Sequence, residues 1–256
     1  MKKLIWTVIL LTTIFFTKNI AKGQTNSCDK VEVELVKLYK KIFPFYYGDQ
    51  DTLFYYSELF SSKLKTYIVN NPSTLDCKFK LFQDSIGSIA TSPDGEFRIY
   101  SWDTWTGGTM HHYQNLFQFK SGSKVYTPTF DFGEGDMGTY FTNAYLLKAG
   151  GKNYFLSTST GSESSKYWYE SIHIYSITDS TINENVAIIK TPDGLKNYIL
   201  IEFDASSVLD RPERPLQLIK YDSDKKIIYV PIIIDEKVTD RYTLYQFTGQ
   251  YFEKIK

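Results

Sequence analysis

The chain has 256 residues, 17% of them aromatic and 23% charged, with 29 basic and 29 acidic side chains. That length supports one sizeable core. The even charge balance excludes the basic excess of a nucleic-acid-binding surface and the strong net charge of a disordered chain. Only four of the basic residues are Arg and only six residues are Ala, the skew an AT-rich bacterial genome produces.

Lys2 and Lys3 precede an apolar run from Leu4 to Phe16, and Ala21-Lys22-Gly23 places small residues at −3 and −1 before Gln24. This layout predicts a cleaved signal peptide over residues 1–23 and a protein of the periplasm or the cell exterior. Removing its four lysines leaves 25 basic against 29 acidic residues, a net charge of −4. No later apolar run is long enough to span a bilayer, so no transmembrane segment is expected after cleavage.

Cys28 and Cys77 are the two cysteines. An oxidising compartment favours a disulfide between them, which would stabilise by about 4 kcal/mol on the chain-entropy model. The alternative is two buried thiols. Cys28 follows Thr25-Asn26-Ser27 and lacks the apolar box of a lipidation site.

Residues 24–80 read as helical. Val31, Leu35, Leu38 and Ile42 form one stripe, and Leu53, Tyr56, Phe60, Leu64 and Tyr67 form a second, from about Asp51 to Val69. Asn71-Pro72 ends the second helix. From about residue 86 the period changes to two. Strand-like runs include Glu96–Trp102, Leu116–Phe119, Lys124–Thr129, Tyr140–Leu147, Asn153–Ser157, Ser171–Ile177, Tyr198–Phe203, Leu216–Tyr221, Lys226–Ile234 and Tyr242–Phe247. Tight turns at Gly122, Gly150-Gly151, Asp179, Ser223 and Gly249 predict antiparallel hairpins. The fold class is therefore mainly β: an antiparallel β domain over 81–256 behind a helical pair, with three units of about four strands each.

Within the first unit, Ser92-Pro93-Asp94-Gly95 followed by Glu96–Tyr100 resembles the opening of a bacterial β-propeller blade, and Trp102-Asp103 is similar to the end of a WD-type blade strand. The resemblance covers Ser92–Gly107 and implies propeller-like hairpins. The tetrad has one near match, Thr191-Pro192-Asp193-Gly194, and the Gly-His pair of WD repeats is absent. A bent sandwich of blade-like hairpins accounts for the same pattern.

Nucleophile motifs are missing. His111, His112 and His173 do not form a metal set, because adjacent strand residues face opposite ways. Asp131-Phe132-Gly133-Glu134-Gly135-Asp136 is a bendable acidic loop, so Asp131, Glu134 and Asp136 are the candidate Ca²⁺ ligands; no other cofactor is implied. Asp103, Glu170 and these three acids are the available carboxylates for a glycosidase pair. Aromatic rings bind sugars and peptides through large, rigid faces. Trp102, Trp105 in its turn and Trp168 in a loop are the candidate recognition residues. The resulting expectation is a non-catalytic recognition or scaffold module of a bacterial envelope, its partner a glycan or an envelope protein. A secreted polysaccharide hydrolase with a carboxylate pair is the alternative.

Overall fold

The computed structural model describes residues 28–46, 48–107, 111–128 and 138–255. The predicted leader (1–23) and the acidic loop Asp131–Asp136 lie outside the described residues. The fold is mainly β, 46% strand and 24% helix, in several antiparallel sheets that close into neither a barrel nor a propeller. No helix among the described residues is long and apolar enough to cross a membrane.

The helical layer holds α1 (residues 28–39), α2 (Gln50–Asn70) and the short α3 (Lys80–Ser85). Asp49 starts α2 by accepting the N–H groups of Asp51 (3.1 Å) and Thr52 (3.4 Å), two of the donors a helix start leaves open. The buried stripe of α2 is Leu53, Ser57, Phe60, Ser61, Leu64 and Ile68, while Tyr56 and Tyr67 pack at its rim. The stripe is rotated from the expected one because Ser61 takes the indole N–H of Trp102 at 3.1 Å, deep in the packing. No side chain of its own caps α3; Glu32 of α1 does so, accepting the Phe82 N–H at 2.7 Å. Burial raises the Glu32 carboxyl above the ordinary range.

Cys28 and Cys77 form a disulfide, with Cα atoms 6.1 Å apart. It ties the start of α1 to the segment that enters α3.

Three sheets follow. The first is β1 (Gly87–Thr91), β2 (Phe97–Asp103), β3 (Tyr113–Ser121) and β4 (Lys124–Tyr126), in that order. The second contains β5 (Tyr140–Ala149), β6 (Lys152–Ser162), β7 (Tyr167–Thr178) and β11 (Tyr198–Asp204), ordered β11-β7-β6-β5, with β8 (Thr181–Asn183) paired to β7. The third is ordered β10-β9-β15-β14-β13-β12, with β9 at Ile189–Thr191, β10 at Gly194–Lys196, β12 at Lys220–Asp222, β13 at Ile227–Ile234, β14 at Lys237–Phe247 and β15 at Phe252–Lys254. Pairing is antiparallel except for β15 with β9.

Three cores separate four layers. Tyr100, Trp102 and Leu116 pack on the helices. Phe97, Ile99, Phe117 and Phe119 pack on Phe141, Phe155 and Tyr175 of the second sheet. Leu156, Ile172, Ile174 and Phe203 pack on Ile228, Val230, Phe247 and Phe252 of the third. Strand β2 is buried at every residue, because it is covered on both faces.

The blade-like tetrad is a local turn. Ser92 Oγ accepts the Phe97 N–H at 3.0 Å, and Gly95 sits at φ 72°, joining β1 to β2 within one sheet. A hairpin of this kind needs no propeller around it. The expected run Leu216–Tyr221 is strand only over Lys220–Asp222, because the N–H groups of Leu218 and Ile219 bind the Glu170 carboxylate.

Arg98, 7% exposed, locks the first sheet to the segment around the disulfide. One guanidinium nitrogen donates to the carbonyls of Thr74 (2.9 Å) and Cys77 (2.8 Å), and Nε donates to Thr91 Oγ1 at 2.9 Å. Lysine keeps the charge but not this fork. Arg98→Lys is expected to destabilise by about 2 kcal/mol, read from urea unfolding; an unchanged midpoint would remove Arg98 from the account of this junction.

Candidate functional site

At one end of the second sheet, three layers border a cleft of about 210 Å³. Tyr140, Thr160, Ser162 and Trp168 come from β5, β6 and β7; Tyr113 starts β3 and His111 precedes it; Arg214, Pro215 and Leu216 come from the connection before β12. Register explains the shared face. Tyr140 lies opposite Thr160, and Ser162 opposite Trp168, and directly opposed residues in an antiparallel pair project to one side. The pairing of β5 shifts between Phe141 and Asn143. The extra residue lets both Phe141 and Ala144 enter the core against the first sheet while Tyr140 projects to the cleft.

A bonded chain from the helical layer positions the cleft's imidazole. Tyr39 of α1 donates to the Asp103 carbonyl at 2.8 Å and receives the indole N–H of Trp105 at 2.8 Å. Trp105, at φ 60°, donates its own backbone N–H to Asp103 Oδ1 at 2.8 Å. The other carboxylate oxygen, Oδ2, holds His111 Nδ1. His111 then stacks on Tyr113 at 5.8 Å and 19°, and Tyr113 meets Tyr140 at 5.2 Å. The Asp103 hydrogen bond raises the His111 pKa above the ordinary imidazole value, against burial, which lowers it. Burial, reinforced by the Asp103 charge, pushes the Tyr113 phenol up, so it stays protonated.

Glu170 lies opposite Thr160 on this same face, 2% exposed. Its Oε2 accepts the N–H groups of Leu218 (2.8 Å) and Ile219 (3.0 Å), while Oε1 is buried without a hydrogen-bond partner. Burial raises its pKa to about 7. Glu170 thereby anchors the connection whose earlier residues, Arg214–Leu216, form one wall of the cleft.

The three tryptophans fall into three different settings. Trp102 is fully buried against Phe60, which corrects its expected role: a ring enclosed by the helical layer offers no face to a ligand. Trp105 occupies its expected turn, but Phe43 and Tyr46 pack on its ring (5.6 and 5.4 Å); it braces His111 rather than lining the cleft. Trp168 lines the cleft, from strand β7 rather than from a loop. His173, stacked on Tyr198 at 5.2 Å, is distant in role from His111; burial lowers its pKa to about 4. No cluster of His, Cys, Asp or Glu suited to a metal occurs among the described residues. The proposed calcium ligands Asp131, Glu134 and Asp136 lie outside them.

Sequence reasoning missed Tyr113, Tyr140 and Arg214, and weighed His111 only as a metal ligand. Asp103 and His111, eight residues apart across a turn, were the legible signal of a dyad. A larger open groove of about 680 Å³ runs over the turns at Gly122 and Gly151. Its lining mixes polar side chains such as Lys120, Lys152, Asn153 and Asn183 with Tyr154 and Phe155.

Comparisons of the chain with protein-family models, with curated proteins and with solved structures give no match.

Proposed function

We propose that this protein is a non-catalytic recognition module that binds a saccharide in the Trp168 cleft, outside the cytoplasm of a bacterium. The observation that carries the reading is the convergence of Trp168, Tyr113, Tyr140 and His111 with the hydroxyl-bearing Thr160 and Ser162 around one concavity. Ring faces bury the C–H side of a sugar, and hydroxyl edges meet its polar rim. The disulfide, together with the leader-like N-terminal sequence, supports an oxidising compartment.

The hydrolase alternative requires two carboxylates facing one cleft. Both oxygens of Asp103 are engaged, by Trp105 and His111. Glu170 is enclosed under Leu218 and Ile219. These commitments favour binding over general acid–base work.

A thermal-shift panel of oligosaccharides tests the reading. A ligand at about a hundred times its Kd stabilises by about 2.7 kcal/mol, a rise of about 5 to 10 °C for a domain of this size. Trp168→Ala is expected to weaken binding at least about tenfold, as loss of one stacking ring does. Binding that survives Trp168→Ala unchanged would place the saccharide site elsewhere.

A further inference from the structure

The cleft combines two cationic groups with its rings, and their partners are unequal. Arg214 donates to the backbone carbonyls of Arg211 (2.8 Å) and Glu213 (2.7 Å) and, at 3.5 Å, of Leu209. All three acceptors are neutral. Among the described ion pairs none involves Arg214; its sequence neighbour Glu213 meets Arg211 at 3.8 Å. His111 gives Nδ1 to Asp103, a contact that fixes the ring and leaves Nε2 as the nitrogen available to a ligand. Among the described residues lining the cleft there is no carboxylate.

We propose that the cleft selects a carboxylated saccharide, its ring on Trp168 and its carboxylate between Arg214 and His111. The inference rests on the saccharide reading above and adds the charge of the ligand. Arginine suits the role because its planar fork matches a carboxylate. A neutral imidazole presents Nε2 as an acceptor, which repels a carboxylate; the imidazolium presents a donor. Binding therefore weakens as pH rises through the His111 pKa. The charged and titratable groups that face His111 are Asp103 of β2, which holds the proton on; Tyr113 of β3 and Tyr140 of β5, both held neutral by burial; and Arg214, which lines the same cleft.

The test uses the disulfide-intact protein and two probes, an oligogalacturonate and its methyl ester, which share a ring and differ in charge. Calorimetry at pH 6 is expected to give at least about tenfold tighter binding of the acid, the scale of one charge-assisted hydrogen bond. That preference should shrink by about tenfold at pH 9 as the imidazolium is lost. At pH 6 Arg214→Gln should cut the acid-to-ester ratio by about tenfold, and His111→Gln on a Glu170→Gln background, which takes the Glu170 titration out of the cleft wall, should remove its pH dependence. Equal affinity for acid and ester overturns the charge inference and leaves the saccharide reading standing. Failure of both probes and of the neutral panel overturns both. Capture of a poly-glutamate peptide, with no binding of either sugar, overturns the saccharide class.

Discussion

Replacing Cys28 and Cys77 together by serine is expected to lower the stability of the protein by about 4 kcal/mol on the chain-entropy model. The two cysteines are 49 residues apart, and the bridge closes a loop containing all of α1 and α2. Without it the unfolded chain regains the freedom of that loop. The folded chain also loses the covalent clamp on a segment otherwise held by Glu32 to Phe82, Tyr39 to Asp103 and Trp105, Glu34 to Lys63, and apolar contacts such as those of Leu35 and Ile42. Both cysteines are nearly buried, at 6% and 4% exposure, so a hydroxyl there adds a small desolvation cost. Urea unfolding of wild type and double mutant should give a lower midpoint and, because the unbridged denatured chain is less compact, a steeper slope. A difference under about 1 kcal/mol would mean that packing alone secures the helical layer, against the size expected for such a loop.

A second large effect is expected from pH, through Glu170. Its folded pKa of about 7 lies above the ordinary glutamate value of 4.5. Desolvation is the chief cause, partly offset by the N–H groups of Leu218 and Ile219; Glu213 adds to the rise and Arg211 opposes it. A folded pKa above the unfolded one means that the native state holds a proton the unfolded state has released. The stabilisation is complete below about pH 4.5 and disappears as pH rises to about 7, a change of about 3 kcal/mol from this one group. Glu170→Gln keeps the shape and an acceptor for the two N–H groups but does not titrate. Relative to that variant, wild type should lose about 3 kcal/mol between pH 4.5 and 8. Parallel stability curves for the two proteins would show that Glu170 is ionised in the native state. Because Glu170 holds the connection that carries Arg214, the same titration bears on the cleft wall.

Much of the fold was legible in residue patterns. The change from a helical period to alternation near residue 86 marks the border between α3 and β1. Hairpin turns at Gly122, Gly150-Gly151 and Asp179 join antiparallel neighbours. Other parts were not legible. Strands β1, β8 and β10 are too short or too polar to stand out. The run at Leu216–Ile219 has a strand's composition, but its N–H groups answer to a carboxylate 48 residues earlier. The propeller-like tetrad at Ser92–Gly95 encodes a turn, and a turn does not specify how sheets stack.

The same division holds for the site. Residue types alone identified an aromatic-rich β protein with paired cysteines, because composition and period act locally. Which tryptophan faces solvent was decided by the layers. Trp102 is closed in by α2, Trp105 is held by Phe43 and Tyr46, and Trp168 is left open where the sheets end. The approach of Arg214 to Trp168, and of both to the local Asp103–His111 pair, joins positions far apart along the chain. Only the stacking of three sheets, which turns sequence distance into spatial contact by burying their shared faces, brings them to one cleft.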